Sequence, residues 1–395
     1  MTKESDNNTR KFETEAVRTQ TERSQFLEHS TPMYLTSSFV FEDAEDMRAS
    51  FAEEKDRNIY SRYSNPTSTE FIDKVCKMEG AEAGFAFASG MAAVYSTFVA
   101  LLESGDHIVS CKSVFGSTHT LFTQFFPKWD ISTSYFDVND LDAVEGLITS
   151  KTKIIYAETP TNPGVDVLDL ELLGKIAKKH GLIFIIDNCF ATPYLQQPIK
   201  FGADLIIHSG TKLMDGQGRV LAGITVGSHE LMDKIYRFAR ITGPALSPFN
   251  AWVLSKSLET LALRVDRHCS NALALATFLE DHPKVEWVKY PFLKSHAKYE
   301  IAKKQMKAGG CVVAFEVKGG LKAGKRFFDS IKMLSLSANL GDSRSIVTHP
   351  ASTTHSKLTT EERRAVGISD GMVRVSVGLE HIDDIVQDIE QALDA

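Results

Sequence analysis

The chain has 395 residues, 43% of them apolar and 24% charged, with a formal charge of −7 at pH 7. That length exceeds the usual single core and predicts two domains, while the acidic balance excludes the basic footprint of a nucleic-acid binder. No stretch is long and apolar enough to span a bilayer, and Met1 to Arg10 lack the apolar core of a signal peptide, so a cytoplasmic protein with no membrane contact is expected.

Residues 1 to 11 are polar and read as a mobile tail. From Pro32 to Phe41, and on through the loop to Pro66, no periodicity holds, which predicts an extended arm; tail and arm together take residues 1–67. From residue 68 the pattern changes. Phe85 to Ala88 leads into Ser89, Gly90 and Met91 and then a helical run, Ala92 to Leu102. Apolar runs at Ile108–Cys111, Ile131–Phe136, Ile154–Ala157, Leu182–Ile186, Leu205–Ile207 and Ile224–Val226 read as strands. Among the intervening helices Leu170–His180 is clearest, with Leu172, Leu173, Ile176 and Ala177 on one face and Gly181 as the stop.

Strand, helix and strand in alternation predict an α/β fold whose mostly parallel sheet is covered on both faces. Catalytic groups then belong at strand carboxyl ends, where Glu158, Asp187 and Ser209 fall. This large domain is expected over residues 68–254 and a smaller α+β domain over 255–395. Trp252–Leu263 reads as one linking helix, Cys311–Val317 and Met372–Val377 as strands of a separate sheet, and Ile382 to Leu393 as a closing surface helix.

Two apolar runs end in chemistry. One delivers Ser209, Gly210, Thr211 and Lys212 to a strand end. A shielded amine loses its proton and can form a Schiff base, while hydroxyls and a bare amide bond phosphate oxygens. The other run ends in Asp187, an acid suited to holding a pyridine nitrogen protonated. A nucleotide phosphate loop is excluded, because Thr211 separates Gly210 from Lys212 and Leu213 follows. Cys76, Cys111, Cys189, Cys269 and Cys311 are odd in number and far apart, as reduced thiols are, and Cys189 reads as packing. His268, His349 and His355 lack metal-ligand spacing and read as structural; no metal is expected.

From about Phe12 onward the chain resembles the Cys/Met-metabolism family of pyridoxal-phosphate enzymes, which includes cystathionine γ-synthase, the cystathionine and methionine lyases and the acylhomoserine sulfhydrylases. The resemblance rests on Tyr60 to Thr67, Ser89-Gly90-Met91, Glu158 to Pro163, Asp187-Asn188, Ser209 to Lys212 and His349 to Ser352. It implies a fold-type I enzyme, pyridoxal 5′-phosphate on Lys212 with Asp187 at its ring nitrogen, and a phosphate held by Ser89, Gly90, Met91, Ser209 and Thr211. It also implies Asn162 beside the ring, and Arg374 as a two-pronged grip on the substrate carboxylate. Tyr60 and Arg62 are expected to reach the phosphate of a neighbouring subunit, in a homotetramer whose sites are shared across a dimer interface.

Three departures narrow the reading. Phe115 stands where most relatives have a tyrosine stacked on the cofactor; it keeps the surface and loses the acid. A thiol leaving group, with a parent pKa of roughly 8.5, gains from protonation, whereas a carboxylate at roughly 4 does not. Asp215 to Arg219 and Ala338 to Asp342 also resemble the sulfhydrylase branch that accepts O-succinylhomoserine, with Arg219 and Asn339 as substrate contacts. The expected reaction is γ-replacement of an O-acylhomoserine by sulfide, giving homocysteine for methionine biosynthesis. A cystathionine γ-synthase using cysteine, a γ-lyase, and a non-catalytic binding relative are the alternatives.

Overall fold

The computed structural model describes residues 10–354, 356–357, 359–365 and 367–395. Residues 1–9 of the expected tail, and His355, lie outside them. Seven strands form the larger sheet: β1 Ala83–Phe87, β2 His107–Cys111, β3 Ser132–Phe136, β4 Thr152–Glu158, β5 Ile183–Asp187, β6 Leu205–Ser209 and β7 Gly223–Gly227. Their order is β1-β7-β6-β5-β4-β2-β3. Only β7 runs against its neighbours.

The continuous apolar runs are explained by burial from both faces. Ile154, Ile155, Ile185, Ile186, Ile206 and Ile207 are wholly shielded from water, each contributing about 1.5–3 kcal/mol of transfer free energy. Leu170–His180 starts at Asp169, whose side chain accepts from the Leu172 amide, and stops at Gly181 with φ +63°. Parallel pairing aligns the carboxyl ends: Glu158 lies opposite Asp187, and Asp187 opposite Ile207.

A second sheet has the order β10-β11-β12-β9-β8, built from β8 Val285–Lys289, β9 Val312–Val317, β10 Ser335–Leu336, β11 Ile346–Thr348 and β12 Met372–Ser376. β9 and β12 pair antiparallel, with Ala314 opposite Arg374. The helix Leu261–Glu280 joins the two cores, packing Leu261 and Val265 into the first and Leu275 and Leu279 into the second. No helix among the described residues is long and apolar enough to cross a membrane.

Two local expectations are corrected. Trp252–Leu263 is not one helix: Pro248–Leu258 ends and Leu261–Glu280 begins anew. The Ser257 carbonyl accepts from the Thr260 amide at 3.2 Å, the Thr260 hydroxyl at 3.2 Å and Arg264 Nη2 at 2.9 Å. Such capture competes with the helical ladder and leaves no trace in periodicity. The arm, extended through much of its length, also contains a short helix, Ala44–Phe51, capped by the Asp43 carboxylate on the Asp46 amide at 2.8 Å.

Candidate active site

Register brings the carboxyl ends of β4, β5 and β6 to one edge, and Arg374 of β12 faces them across the gap. Between them lies a cavity of about 260 Å³ whose walls include Lys212, Asp187, Asn162, Phe115, Ser209 and Arg374. Lys212 Nζ donates to Asn339 Oδ1 at 2.5 Å. Burial lowers the proton affinity of this amine, and the Arg374 charge adds to the effect against the opposing pull of Cys189 and Asp187. Burial also pushes the Asp187 carboxyl up to about 6, opposed by the Cys189 amide, His208 and Lys212. That amide donates to Asp187 Oδ1 at 3.0 Å. Behind it, His208 Nε2 pairs with Glu79 at 2.6 Å, both buried.

At the other end of the cavity, Ser89 caps the helix Gly90–Leu101, its hydroxyl accepting from the Ala92 amide at 3.1 Å. The preceding helical amides, at Gly90 and Met91, belong to the first turn that no intrahelical carbonyl satisfies, and with the dipole they favour an anion. Glycine is required for this approach: a Cβ on Gly90 would lie 2.8 Å from Ser209 Cβ, and one on Gly223 only 2.1 Å from the Ser89 carbonyl oxygen. The result is a cradle with Ser209 on its rim. Thr211 also lines the cavity, its hydroxyl engaged with the Ala222 backbone, accepting at 3.0 Å and donating at 3.3 Å.

Arg374 donates from Nη1 to Asn162 Oδ1 at 2.9 Å and from Nη2 to the Asn339 carbonyl at 3.0 Å, with longer contacts to Ala338 and Thr348. Its Nε is buried and has no protein partner among the described residues. A buried guanidinium on a cavity wall with one donor unpaired is suited to receiving a carboxylate. Phe115 presents a ring that is 44% exposed, and its amide donates to Glu158 Oε2 at 2.8 Å.

Among the expected residues, Asn339, Tyr60, Arg62 and Arg219 do not line this cavity, although Asn339 bonds Lys212; Tyr60 and Arg62 are the pair expected at a neighbouring subunit's phosphate. The Arg62 guanidinium is stacked 5.4 Å over the Tyr60 ring and 4.9 Å over Tyr63. Arg219 is tied elsewhere. Its Nε donates to Asp215 Oδ1 at 2.9 Å, its guanidinium also bonds Ser257, and it does not line the cavity. Asp215 is wholly buried, so it holds the arginine as a counter-charge. Glu158, noted as a strand end and as the start of the Glu158 to Pro163 motif, and Cys189, read as packing, both line the cavity. His349 bonds Ser352 and the Asp370 carbonyl, and His268 the Val377 carbonyl.

The Cys/Met metabolism PLP-dependent enzyme family matches residues 13–394. This chain belongs to that family. Among curated relatives, the O-succinylhomoserine sulfhydrylase of Pseudomonas aeruginosa is 45% identical over 384 residues, covering 97% of this chain and 95% of that protein. The L-methionine gamma-lyase of Fusobacterium nucleatum is 44% identical over 367 residues, covering 92% and 93%. Among solved structures, metB of Corynebacterium glutamicum superposes with a TM-score of 0.92 at 36% identity, covering 98% and 99%. A Campylobacter jejuni structure carrying N′-pyridoxyl-lysine-5′-monophosphate superposes at 0.93 with 35% identity, covering 97% and 100%.

The architecture is therefore that of a fold-type I enzyme and the cofactor is pyridoxal phosphate. The cavity fits it. The glycine cradle suits the phosphate, Asp187 the pyridine nitrogen, the Phe115 ring a planar face, and Lys212 a covalent bond to the aldehyde.

Proposed function

We propose that the protein catalyses γ-replacement on an O-acylhomoserine, succinyl or acetyl, with sulfide as nucleophile and homocysteine as product. The observation that carries this reading is Phe115 on the cavity wall, a stacking surface with no proton to give. A Cγ–O bond that breaks to release a carboxylate needs none, whereas a departing thiolate is helped by an acid. The 45% identity to an O-succinylhomoserine sulfhydrylase supports the same choice.

Each side chain has a task. Arg374 grips the substrate α-carboxylate through its free Nε and an adjacent Nη. Lys212, its amine held toward neutrality by burial, takes the α-proton and then moves a β-proton. Asn339 orients that amine between the two transfers. Asp187 keeps a proton on the ring nitrogen, and the bound cofactor supplies an electron-poor ring that stores the charge from Cα. The acyl group then leaves Cγ as its carboxylate, sulfide forms the carbon–sulfur bond at Cγ, and Lys212 returns protons to Cβ and Cα. Tyr60 and Arg62, which do not line their own cavity, complete the phosphate site of a neighbouring copy in a homotetramer.

A γ-lyase is the second reading, favoured by the 44% identity to a methionine gamma-lyase. Purified holoenzyme offered each acylhomoserine with sulfide or with cysteine, and methionine or cystathionine alone, separates them. Homocysteine from acyl donor and sulfide is expected. Predominant cystathionine, or 2-oxobutanoate from methionine without a donor, would overturn the proposal.

A further inference from the structure

Glu158 is a buried carboxyl, 4% exposed, that the mechanism above leaves without work. It ends β4 directly opposite Asp187 on β5, so two carboxyl groups share one face of the sheet at an inter-strand spacing of about 4.8 Å between backbones. Two carboxyls that close, both out of water, cannot both be ionised. The remaining titratable and charged groups that face Glu158 do not relieve it. Cys111 and Cys189 are thiols raised by burial, and Tyr156 is a phenol raised the same way. Arg374, the cation that acts on it, is already bonded to Asn162, Asn339, Ala338 and Thr348.

The hydrogen bonds of the pair divide the roles. Asp187 accepts from the Cys189 amide. Glu158 Oε2 accepts from the Phe115 amide at 2.8 Å, and Phe115 is the residue that leads into the helix Gly116–Thr120 and carries the cavity's stacking ring. Glu158 thus holds the loop that carries the ring.

We propose that Glu158 is a positioning residue: a neutral carboxylic acid that seats Phe115 against the cofactor and leaves Asp187 as the single negative charge beneath the ring. The inference rests on the cofactor and the family, not on the choice of leaving group or nucleophile. Burial, and next the Asp187 charge, drive the Glu158 proton affinity well above the carboxylate range, which agrees with a neutral acid.

Glu158→Gln and Glu158→Ala in the holoenzyme test this. Glutamine keeps an uncharged acceptor for the Phe115 amide; alanine removes it. The readouts are pyridoxal-phosphate affinity of the apoprotein, the pH titration of the visible absorbance, and KM against kcat. Glu158→Gln is expected to bind cofactor within about threefold of wild type, with a superimposable pH titration, while Glu158→Ala loses about tenfold or more in affinity. A shifted titration midpoint in Glu158→Gln, or a loss equal to that of alanine, would show that an ionised carboxylate is required and overturn the proposal. Wild-type affinity in Glu158→Ala would overturn it too. Should the alanine variant fail to fold, the titration of Glu158→Gln decides alone. None of these outcomes depends on which acyl donor is used, so a failed sulfhydrylase assay is a separate result.

Discussion

Replacing Arg374 by lysine tests the substrate grip. The guanidinium serves Asn162 on one side and the Asn339 and Ala338 carbonyls on another, and its Nε has no protein partner among the described residues. An ammonium is a compact point charge that cannot span these partners and also present a fork. Truncating one partner of a buried, hydrogen-bonded charge pair costs about 2–5 kcal/mol. Lysine keeps the charge and should fall near the lower bound; about 2 kcal/mol corresponds to roughly 30-fold in binding, with alanine nearer 10³-fold. Because a carboxylate is held equally before and during reaction, the loss belongs mainly in KM. Steady-state kinetics on an O-acylhomoserine, paired with a substrate analogue lacking the α-carboxylate, measures it. With the analogue, Arg374→Lys and wild type should perform alike. A KM unchanged by the substitution, or an equal loss with the analogue, would refute the assignment.

Phe115→Tyr should restore an acid beside the leaving group and raise 2-oxobutanoate release from methionine relative to homocysteine synthesis, read as a product ratio; an unchanged ratio would remove the leaving-group argument. Gly90→Ala places a Cβ 2.8 Å from Ser209, an overpacking worth about 1–3 kcal/mol to the fold, so urea unfolding of the apoprotein should show that loss and cofactor affinity should fall as the cradle shifts; wild-type stability together with wild-type affinity would contradict the close packing. His268 is buried beside the Val377 carbonyl, and burial lowers its pKa to about 4 from 6.5. A base depressed in the folded state stabilises fully above pH 6.5, and that contribution is lost as pH falls toward 4, about 3 kcal/mol in all. Urea unfolding at pH 7 and pH 4 should therefore show a smaller loss in His268→Gln than in wild type, and parallel losses would contradict the linkage.

Much of the fold was legible because burial on both faces writes itself as unbroken apolar runs, as in Leu182–Ile186 and Leu205–Ile207. Lys212 and Asp187 were legible for the same reason: each polar group follows such a run, and a parallel sheet aligns run ends. Contacts that depend on tertiary approach were not. The break at Glu259 and Thr260 arises from Arg264 reaching back to a carbonyl. Arg219 looked free in the sequence, yet it is tied to Asp215 four positions earlier. Asn339 lies 127 positions from Lys212, and nothing local shows that its amide oxygen accepts from that lysine amine. Glu158 was visible as a strand end, but its bond to Phe115 depends on how a loop folds over the sheet edge.

Borohydride reduction of the holoenzyme, followed by proteolysis and mass spectrometry, tests the central claim most directly. The pyridoxyl group is expected on the peptide containing Lys212, and Lys212→Ala should yield colourless, inactive protein. A label on another lysine, or a Lys212→Ala variant that keeps its visible absorbance and full turnover, would contradict the assignment.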